Sequence, residues 1–472
     1  MNNTAIRNLT DSKISGYYTG GLVVLSVGCV LSLILEEYIL FLILLLIPFL
    51  IYFTIRFQDY YVEIFIASLF FARTLYWPLR VQSSLLVAVI LIFFLLTSRK
   101  FGIFNELKLP GKIKNIATFL IFSVIISGTM TLFSSALSVY FSLLFIIFLS
   151  LSYVIFRSVK SFEEIDRYLN FFPVVCGISG LVIIAQIIVT GKLRSLGLTS
   201  FAVMDFSAMA LLTVVFRNFL LSKINRNSIF LAVVIFVILI TTQSRFAWLG
   251  FLITLIYGLI ISFIFSEDTR AIIKKRMPIL LIASAIGIAL VFIIGLKGIL
   301  LNRLDVTNFT LFEGSSGQLT SNSLESRVFI WVTAYNTFIH HPFIGVGYLM
   351  FSEISEAYNL LPDFMFIVYV YGLDAHTTYL NFLVETGIVG LTAFVSYVVI
   401  IFLMTLKSIK ESKSLVNLKV SIILNMLVFF IMVHSVYSGA FTMGQNALHM
   451  HFIFGLAIAN YVLTNEQSRK DA

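Results

Sequence analysis

The polar side chains best suited to chemistry lie late in the chain, beside long apolar runs. His376 stands just before such a run, and Asp374 is two residues away. An imidazole titrates near neutral pH, so it can accept a proton from a hydroxyl group as that hydroxyl attacks another molecule. His376 is therefore the best candidate for a catalytic base. The alternative is a structural histidine whose ring nitrogens are satisfied by neighbours.

Two arginines are candidates for binding an anion. Arg245 lies in TTQSRFAWLG between two apolar runs, and Arg327 follows Glu325 in an amphipathic stretch that contains Trp331. The planar guanidinium group suits the oxygens of a phosphate. The alternative for Arg245 is hydrogen bonding to the carbonyls of a helical hairpin. The alternative for Arg327 is a weak surface ion pair with Glu325.

The segment HHPFIGVG is predicted to be a turn with an architectural role. Proline disfavours a helix at the residue before it, so Pro342 should end the helix that reaches His340 and His341. Gly345 and Gly347 then permit a tight turn with unusual backbone angles. Adjacent histidines do not face the same direction on a helix, so no metal site is expected here.

The composition indicates an all-α, polytopic integral membrane protein. Apolar residues make up 59% of the chain and charged residues 12%, against roughly 45–50% and about 25% in soluble domains. A span needs about 20 mostly apolar residues, and about fourteen such runs are present. They lie near 17–35, 38–55, 60–77, 83–97, 115–133, 137–156, 171–190, 201–220, 228–244, 246–265, 278–297, 387–406, 419–437 and 446–463.

These runs divide the chain into three regions. Residues 1–297 form an N-terminal transmembrane bundle of about eleven helices, and residues 387–472 carry about three more. Residues 298–386 form a long extracytoplasmic segment that includes amphipathic stretches near 325–340 and 350–361. A structureless loop of this length is unusual, so a small helical cap that carries the site is predicted.

The distribution of basic residues predicts the orientation. With both termini in the cytoplasm, most Lys and Arg residues lie on the cytoplasmic side, which explains the net charge of +9 without nucleic-acid binding. Eight of the 32 lie at or near the outer side, where they either snorkel to the interface or bind an anionic ligand together. They are Arg73, Arg80, Lys192, Arg194, Arg245, Lys297, Arg303 and Arg327. Of these, Arg73, Arg194 and Arg303 are possible additional substrate-binding residues.

Several classes of protein are disfavoured. Asp-x-Asp is absent from the sequence, which argues against a metal-dependent nucleotide-sugar transferase, and no phosphate loop indicates a nucleotide-driven pump. Cys29 and Cys176 lie in apolar runs and are expected to pack as small hydrophobic residues. Neither a metal nor another cofactor is predicted.

Three motifs resemble those of the O-antigen polymerase and O-antigen ligase superfamily, which acts in bacterial surface-polysaccharide assembly. RFAWL, from Arg245 to Leu249, matches an Arg-x-x-x-Leu element. Arg327 with Trp331 and the HPFIGVG turn matches the second arginine of the family, and His376 heads a histidine motif. Other matching positions of that motif are Thr377, Tyr379, Leu380, Glu385, Gly387 and Gly390.

The resemblance implies a C-type glycosyltransferase architecture in the bacterial inner membrane, with the active site on the extracytoplasmic side. It implies an undecaprenyl-diphosphate-linked oligosaccharide as donor and a metal-independent single displacement. Arg245 and Arg327 would then hold the diphosphate, and His376 would activate the acceptor hydroxyl. Membrane lipids and a protein that regulates chain length are the further partners that it implies.

The number of spans favours a polymerase that joins repeat units, because ligases of this superfamily typically have nearer twelve spans. An O-antigen ligase that transfers the glycan to lipid A core is the alternative. A polysaccharide flippase or other transporter is a third possibility. It would place ionisable residues near the membrane midplane, on broken helices in paired halves. Glu63 and Asp205 are the acidic residues well within spans, and neither lies at mid-depth in this topology.

Overall fold

The computed structural model describes most of the chain from residue 106 onward. The described residues are 62–63, 66, 106–131, 135–190, 202–221, 226–241, 244–265, 270–271, 274–276, 323–439 and 444–470. Every regular element in these ranges is helical. The helices named below all belong to one compact unit.

The first six helices are apolar. They are α1 (Gly111–Met130), α2 (Ala136–Ser158), α3 (Phe162–Thr190), α4 (Ala202–Leu221), α5 (Arg226–Thr241) and α6 (Arg245–Phe265). Polar residues define their ends: the Ser135 hydroxyl accepts a hydrogen bond from the Ser138 amide at 3.2 Å and caps α2. The Trp248 indole donates to the Leu239 carbonyl at 2.7 Å and ties α6 to α5 across their hairpin.

From residue 323 onward, a group of shorter helices is followed by three long ones. A cap is formed by α7 (Ser323–His340), α8 (Phe351–Ile354), a 3₁₀ turn (Ser355–Tyr358) and α9 (Asp363–Tyr369). Three long helices follow: α10 (Thr378–Glu411), α11 (Leu415–His434) and α12 (Gly444–Lys470). The cap has its own core, in which Ile330, Val346 and Phe366 pack with Val384 at the beginning of α10.

Seven helices in the described part of the chain are long and apolar enough to cross a membrane, so the protein is a multi-pass membrane protein. They are Gly111–Met130, Ala136–Ser158, Phe162–Ala185, Phe246–Phe265, Thr378–Glu411, Leu415–His434 and Ala447–Lys470. Two shorter apolar helices are Phe206–Asn218 and Arg226–Thr241. The predicted spans before residue 100 and near 278–297 lie almost entirely outside the described residues, so the count of about fourteen stays a prediction.

Two helices begin earlier than the predicted spans, and the first is α3, which begins at Phe162 rather than near 171. The span expected to begin at 387 is part of α10, which begins nine residues earlier at Thr378. Buried polar residues in this first part, Asn381 and Glu385 among them, lower its hydropathy, so the apolar run begins later than the helix. Gly387 has φ 66° and ψ −172°, which breaks α10 where the run was expected to start. The domain boundary between 386 and 387 therefore divides one long, kinked helix.

Candidate functional site

His376 lies in the loop that leads into α10. The Thr377 hydroxyl accepts a hydrogen bond from the Leu380 amide at 3.1 Å, which caps the helix. His376 itself has φ 56°, one of two positive values among the described non-glycine residues. Such a conformation is uncommon for a side chain with a Cβ atom and persists only where surrounding contacts hold it. The imidazole is 33% exposed, so a molecule in solvent can reach it.

Asp374 and Asn381 hold the histidine. The His376 Nδ1 atom hydrogen bonds to Oδ1 of Asp374. The other carboxylate oxygen of Asp374 accepts from Nδ2 of Asn381 at 3.2 Å. Oδ1 of Asn381 in turn accepts from the Ala375 amide at 2.8 Å, so this one side chain braces both the carboxylate and the loop backbone.

Opposing influences act on the Asp374 carboxyl. Burial raises the pKa of Asp374, but the hydrogen bond and positive charge of His376, together with the hydrogen bond from Asn381, lower it. The net result is a pKa below the ordinary value, so Asp374 is ionised at neutral pH. An ionised carboxylate at Nδ1 keeps the ring proton on that atom and leaves the lone pair of the neutral ring on Nε2.

The loop 435–439, after α11, contacts the beginning of α10. The Thr378 amide donates to the carbonyls of Ser435 and Ser438, each at 3.0 Å. The Thr378 hydroxyl also donates to the Ser438 carbonyl, at 2.8 Å. A Cβ atom on Gly439 would lie less than 3.0 Å from Oδ2 of Asp374. The loop therefore packs directly against the carboxylate that holds His376.

Arg327 contacts the same loop from the cap. Its guanidinium Nη1 atom donates to the Tyr437 carbonyl at 3.0 Å. The guanidinium carbon also lies 3.9 Å from the ring centroid of Phe246, a cation–π contact. Phe246 in turn stacks on the Tyr437 ring with 4.9 Å between centroids. The loop 435–439 thus contacts Arg327 and also Asp374, the carboxylate that holds His376, although Arg327 and His376 are 49 positions apart in sequence.

Arg245 is the first residue of α6, directly before the Phe246 that underlies Arg327. The fold therefore places the backbone of Arg245 beside Arg327 and the loop 435–439. The side chain of Arg245 lies outside what the structure describes. Arg73, Arg194 and Arg303 also lie outside the described residues. Their predicted contribution to substrate binding stays a prediction.

The HHPFIGVG segment joins the cap to α10. α7 ends at His340, as predicted from Pro342. The Val346 amide donates to the Val384 carbonyl at 3.1 Å and the Gly347 amide to the Glu385 carbonyl at 2.9 Å. The positive φ values of Gly345 and Gly347, 68° and 114°, are the unusual angles that the sequence predicted. The segment therefore packs against α10 on both sides of the break at Gly387.

The two histidines of this segment make contacts within the cap. Nε2 of His341 hydrogen bonds to the Tyr358 hydroxyl. Nδ1 of His340 lies 2.8 Å from the Asn336 carbonyl oxygen. Burial, and then the neighbouring charge of His340, lower the pKa of His341 below its ordinary value. These contacts give both residues a structural position in the cap.

Sequence reasoning missed four residues of the site: Phe246, Asn381, Tyr437 and Gly439. Asn381 could have been identified from the sequence, because a buried amide side chain near the beginning of an apolar helix needs a hydrogen-bond partner. Nothing in the local sequence links the loop 435–439 to Asp374, since only the packing of α11 against α10 brings them together.

A comparison with known families covers the part of the site up to residue 395. Residues 230–395 match the family model described as O-antigen ligase. The match is consistent with the O-antigen polymerase and ligase superfamily, as the motifs predicted. It runs from α5 into α10 and contains Arg245, Arg327 and His376, whereas the loop 435–439 lies beyond it. No curated protein sequence matches the chain.

Proposed function

We propose that the protein is a glycosyltransferase of the polymerase and ligase type, which takes an oligosaccharide from a polyprenyl diphosphate carrier. The favoured reaction is that of an O-antigen polymerase, which joins undecaprenyl-diphosphate-linked repeat units on the outer side of the bacterial inner membrane. In this proposal both termini are cytoplasmic and the fold is that of a C-type glycosyltransferase with about fourteen spans. A protein that regulates chain length is a possible partner.

The observation that carries the proposal is that one loop contacts Arg327 and also Thr378 and Asp374, the two residues on either side of His376 that fix its position. Thr378 binds the Ser435 and Ser438 carbonyls, and Arg327 binds the Tyr437 carbonyl between them. A group that binds an anion and a group that accepts a proton are thereby held close together. Displacement of a diphosphate by a hydroxyl needs both.

His376 would act as the base. With its Nδ1 proton held by Asp374, the ring accepts a proton at Nε2 from the acceptor sugar hydroxyl. The hydroxyl oxygen forms a bond to the anomeric carbon as the bond from that carbon to the diphosphate breaks. The Asp374 carboxylate stabilises the imidazolium that results, as an aspartate does beside the histidine of a catalytic triad.

Arg327 and Arg245 would bind the diphosphate. Negative charge builds on the departing diphosphate as the bond breaks, so fixed guanidinium groups stabilise the transition state more than the ground state. The contacts of Arg327 with Tyr437 and Phe246 fix its position before substrate binds. This preorganisation lowers the cost of ordering a long side chain on binding.

The ligase reaction is the second candidate, and the description of the matching family favours it. The two reactions share a donor and differ in the acceptor, which is a lipid-linked repeat unit for a polymerase and lipid A core for a ligase. Deletion of the gene separates them. Single repeat units on lipid A core indicate a lost polymerase, whereas bare core with accumulating lipid-linked polymer indicates a lost ligase. Unchanged surface glycan in the deletion strain would refute both.

Complementation of that strain tests the catalytic base. His376→Ala should reduce glycan transfer by about 10²–10⁴-fold, which is what a positioned general base contributes. Surface glycan is resolved on gels, and an antibody measures the protein in the membrane. His340→Ala is the matched control, because His340 is an exposed histidine in the same cap. Long-chain glycan from the His376→Ala strain would contradict the assigned role.

A further inference from the structure

Helix α7 has large apolar side chains on its exposed face. Tyr335 is 60% exposed and Ile339 53%, and Trp331 lies on the same face. The opposite face, with Ile330 and Ala334, packs into the core of the cap. The exposed face of a helix in water is polar, so lipid or protein must cover this one.

The N-terminal end of α7 lies level with the end of a span. Arg327, in the second turn of α7, stacks on Phe246. Phe246 is the first residue of the apolar segment Phe246–Phe265, which is long enough to cross the membrane. This end of α7 is therefore at the depth where that span leaves the hydrocarbon.

The C-terminal end of α7 lies level with another span. Directly after α7, the Pro342 carbonyl accepts a hydrogen bond from the Ile388 amide at 2.9 Å. Ile388 follows the break at Gly387, and the part of α10 beyond it still exceeds the roughly 20 residues that a span requires. In the predicted topology the spans that begin at 246 and 387 both start on the extracytoplasmic side, so both ends of α7 are at the same membrane surface and its 18 residues run along it.

The apolar face of α7 is continuous with the side of a span. Phe343, 69% exposed, lies in the turn after α7, and its carbonyl accepts from the Val389 amide at 3.4 Å. Ile388, the neighbour of Val389, is an exposed apolar residue of α10. The exposed apolar surface therefore passes from α7 through Phe343 to a helix whose exposed side chains face lipid.

We propose that α7 lies in the membrane interface on the His376 side, with Trp331, Tyr335 and Ile339 inserted among the lipids. Trp and Tyr are enriched at this level of membrane proteins, and a helix with an apolar face of this kind inserts about 5–10 Å into the boundary of headgroups and acyl chains. The partner of this surface is thus the lipid bilayer. On the proposed function, the interfacial helix holds Arg327 at headgroup depth, where the diphosphate of a lipid-linked donor lies.

Site-directed spin labelling tests the lipid contact directly. A spin label is attached at Tyr335→Cys in a full-length protein that has Cys29→Ala and Cys176→Ala, reconstituted in phosphatidylethanolamine and phosphatidylglycerol nanodiscs. Glu356→Cys is the control, since Glu356 is an exposed acidic residue of the cap. The Tyr335 label should collide frequently with oxygen and rarely with a water-soluble nickel chelate, and the Glu356 label should do the opposite.

Either of two results overturns the proposal. Frequent collision of the Tyr335 label with the nickel chelate would show that this face is in water. Shielding from both reagents would show that protein covers this face. In nanodiscs of the purified protein, that protein would be a second copy of the chain. Ile339→Cys repeats the test if the Tyr335 variant does not fold. The measurement needs no substrate. A negative result therefore does not contradict the proposed reaction, and disproof of that reaction does not contradict the lipid contact.

Discussion

His376 combines a strained backbone with a fixed side chain. Its positive φ costs about 1–3 kcal/mol, which surrounding contacts must offset. Asp374 holds the ring, and Asn381 holds Asp374 together with the loop backbone. The ring is therefore set in one orientation before any substrate arrives, as a general base requires.

Asp374→Asn keeps the shape of this side chain and removes its charge. We expect glycan transfer to fall at least about tenfold, because the imidazolium loses the carboxylate that stabilises it. The rate is measured on purified protein with a lipid-linked oligosaccharide donor. Asp363→Asn, at the exposed first residue of α9, is the control. Equal rates for Asp374→Asn and wild type would remove Asp374 from the mechanism.

The lowered pKa of Asp374 also predicts how the stability difference between wild type and Asp374→Asn depends on pH. Because folding lowers the pKa of Asp374, its carboxylate contributes stability that is fully present above the unfolded-state pKa of about 3.9. That contribution is lost as pH falls through the lower pKa of the folded state. The difference in Tm between wild type and Asp374→Asn should shrink as pH falls below about 4.

Arg327 is best tested by a change that keeps its charge. In Arg327→Lys, an ammonium group cannot bind the Tyr437 carbonyl, stack on Phe246 and contact two phosphate oxygens in the way a planar guanidinium does. We expect Lys to restore little of the activity that Arg327→Ala loses, which should be about 10²–10³-fold. Kinetics with varied donor concentration are the measurement. Full activity of Arg327→Lys would show that charge alone suffices at this position.

Among the helices and loops, the loop 435–439 contacts both sides of the site, although its own sequence carries no recognisable motif. It follows α11, receives two hydrogen bonds from the Thr378 amide and packs Gly439 against Asp374. A loop that binds both the cap and the beginning of α10 sets the separation of Arg327 and His376. Its geometry is therefore as important as the identity of either side chain.

Gly439→Ala tests this role. A Cβ atom here would come within 3.0 Å of the Asp374 carboxylate, so Asp374 must shift and His376 with it. We expect activity to fall on the order of tenfold or more while the protein still folds, since a small displacement at a catalytic group is costly. Gly111→Ala is the control, because a Cβ atom at Gly111 meets nothing within 4 Å. Wild-type activity in Gly439→Ala would show that the carboxylate can move freely.

The helices were largely predictable, and the contacts between them were not. Apolar runs predicted α1, α2, α4 to α6 and α11 to within several residues, and Pro342 correctly predicted the end of α7. These features depend on local sequence. Helices α3 and α10 each begin nine residues before the predicted span, and in α10 this is because Asn381 and Glu385 lie buried in a part of the helix that is not uniformly apolar. The contact of Gly439 with Asp374 depends on the packing of distant segments, which no spacing in the sequence encodes.

At the scale of the whole molecule, composition was decisive for the class of protein. With 59% apolar residues, a multi-pass membrane protein was the only class that fitted, and the seven candidate spans in the described residues bear this out. The orientation in the membrane is a separate matter that rests on the distribution of charge. Lys407, Lys410 and Lys413, at and after the end of α10, predict that this end is cytoplasmic.

Cysteine accessibility in cells tests the orientation. The two variants are Tyr371→Cys and Lys413→Cys. Tyr371 is 62% exposed in the loop after α9, and Lys413 is exposed in the loop between α10 and α11. In a background without Cys29 and Cys176, a membrane-impermeant maleimide should label position 371 in spheroplasts. Position 413 should react only after the membrane is permeabilised. The reverse pattern would place His376 in the cytoplasm, where an extracytoplasmic polymerase cannot work.

The crossing of Gly345 and Gly387 has a mechanical consequence. A Cβ atom on Gly345 would collide with the backbone of Glu385, and one on Gly387 with the backbone of Phe343. Any side chain at either position would therefore push the turn and α10 apart, and would stretch the hydrogen bonds by which Val346 and Gly347 hold the turn to α10.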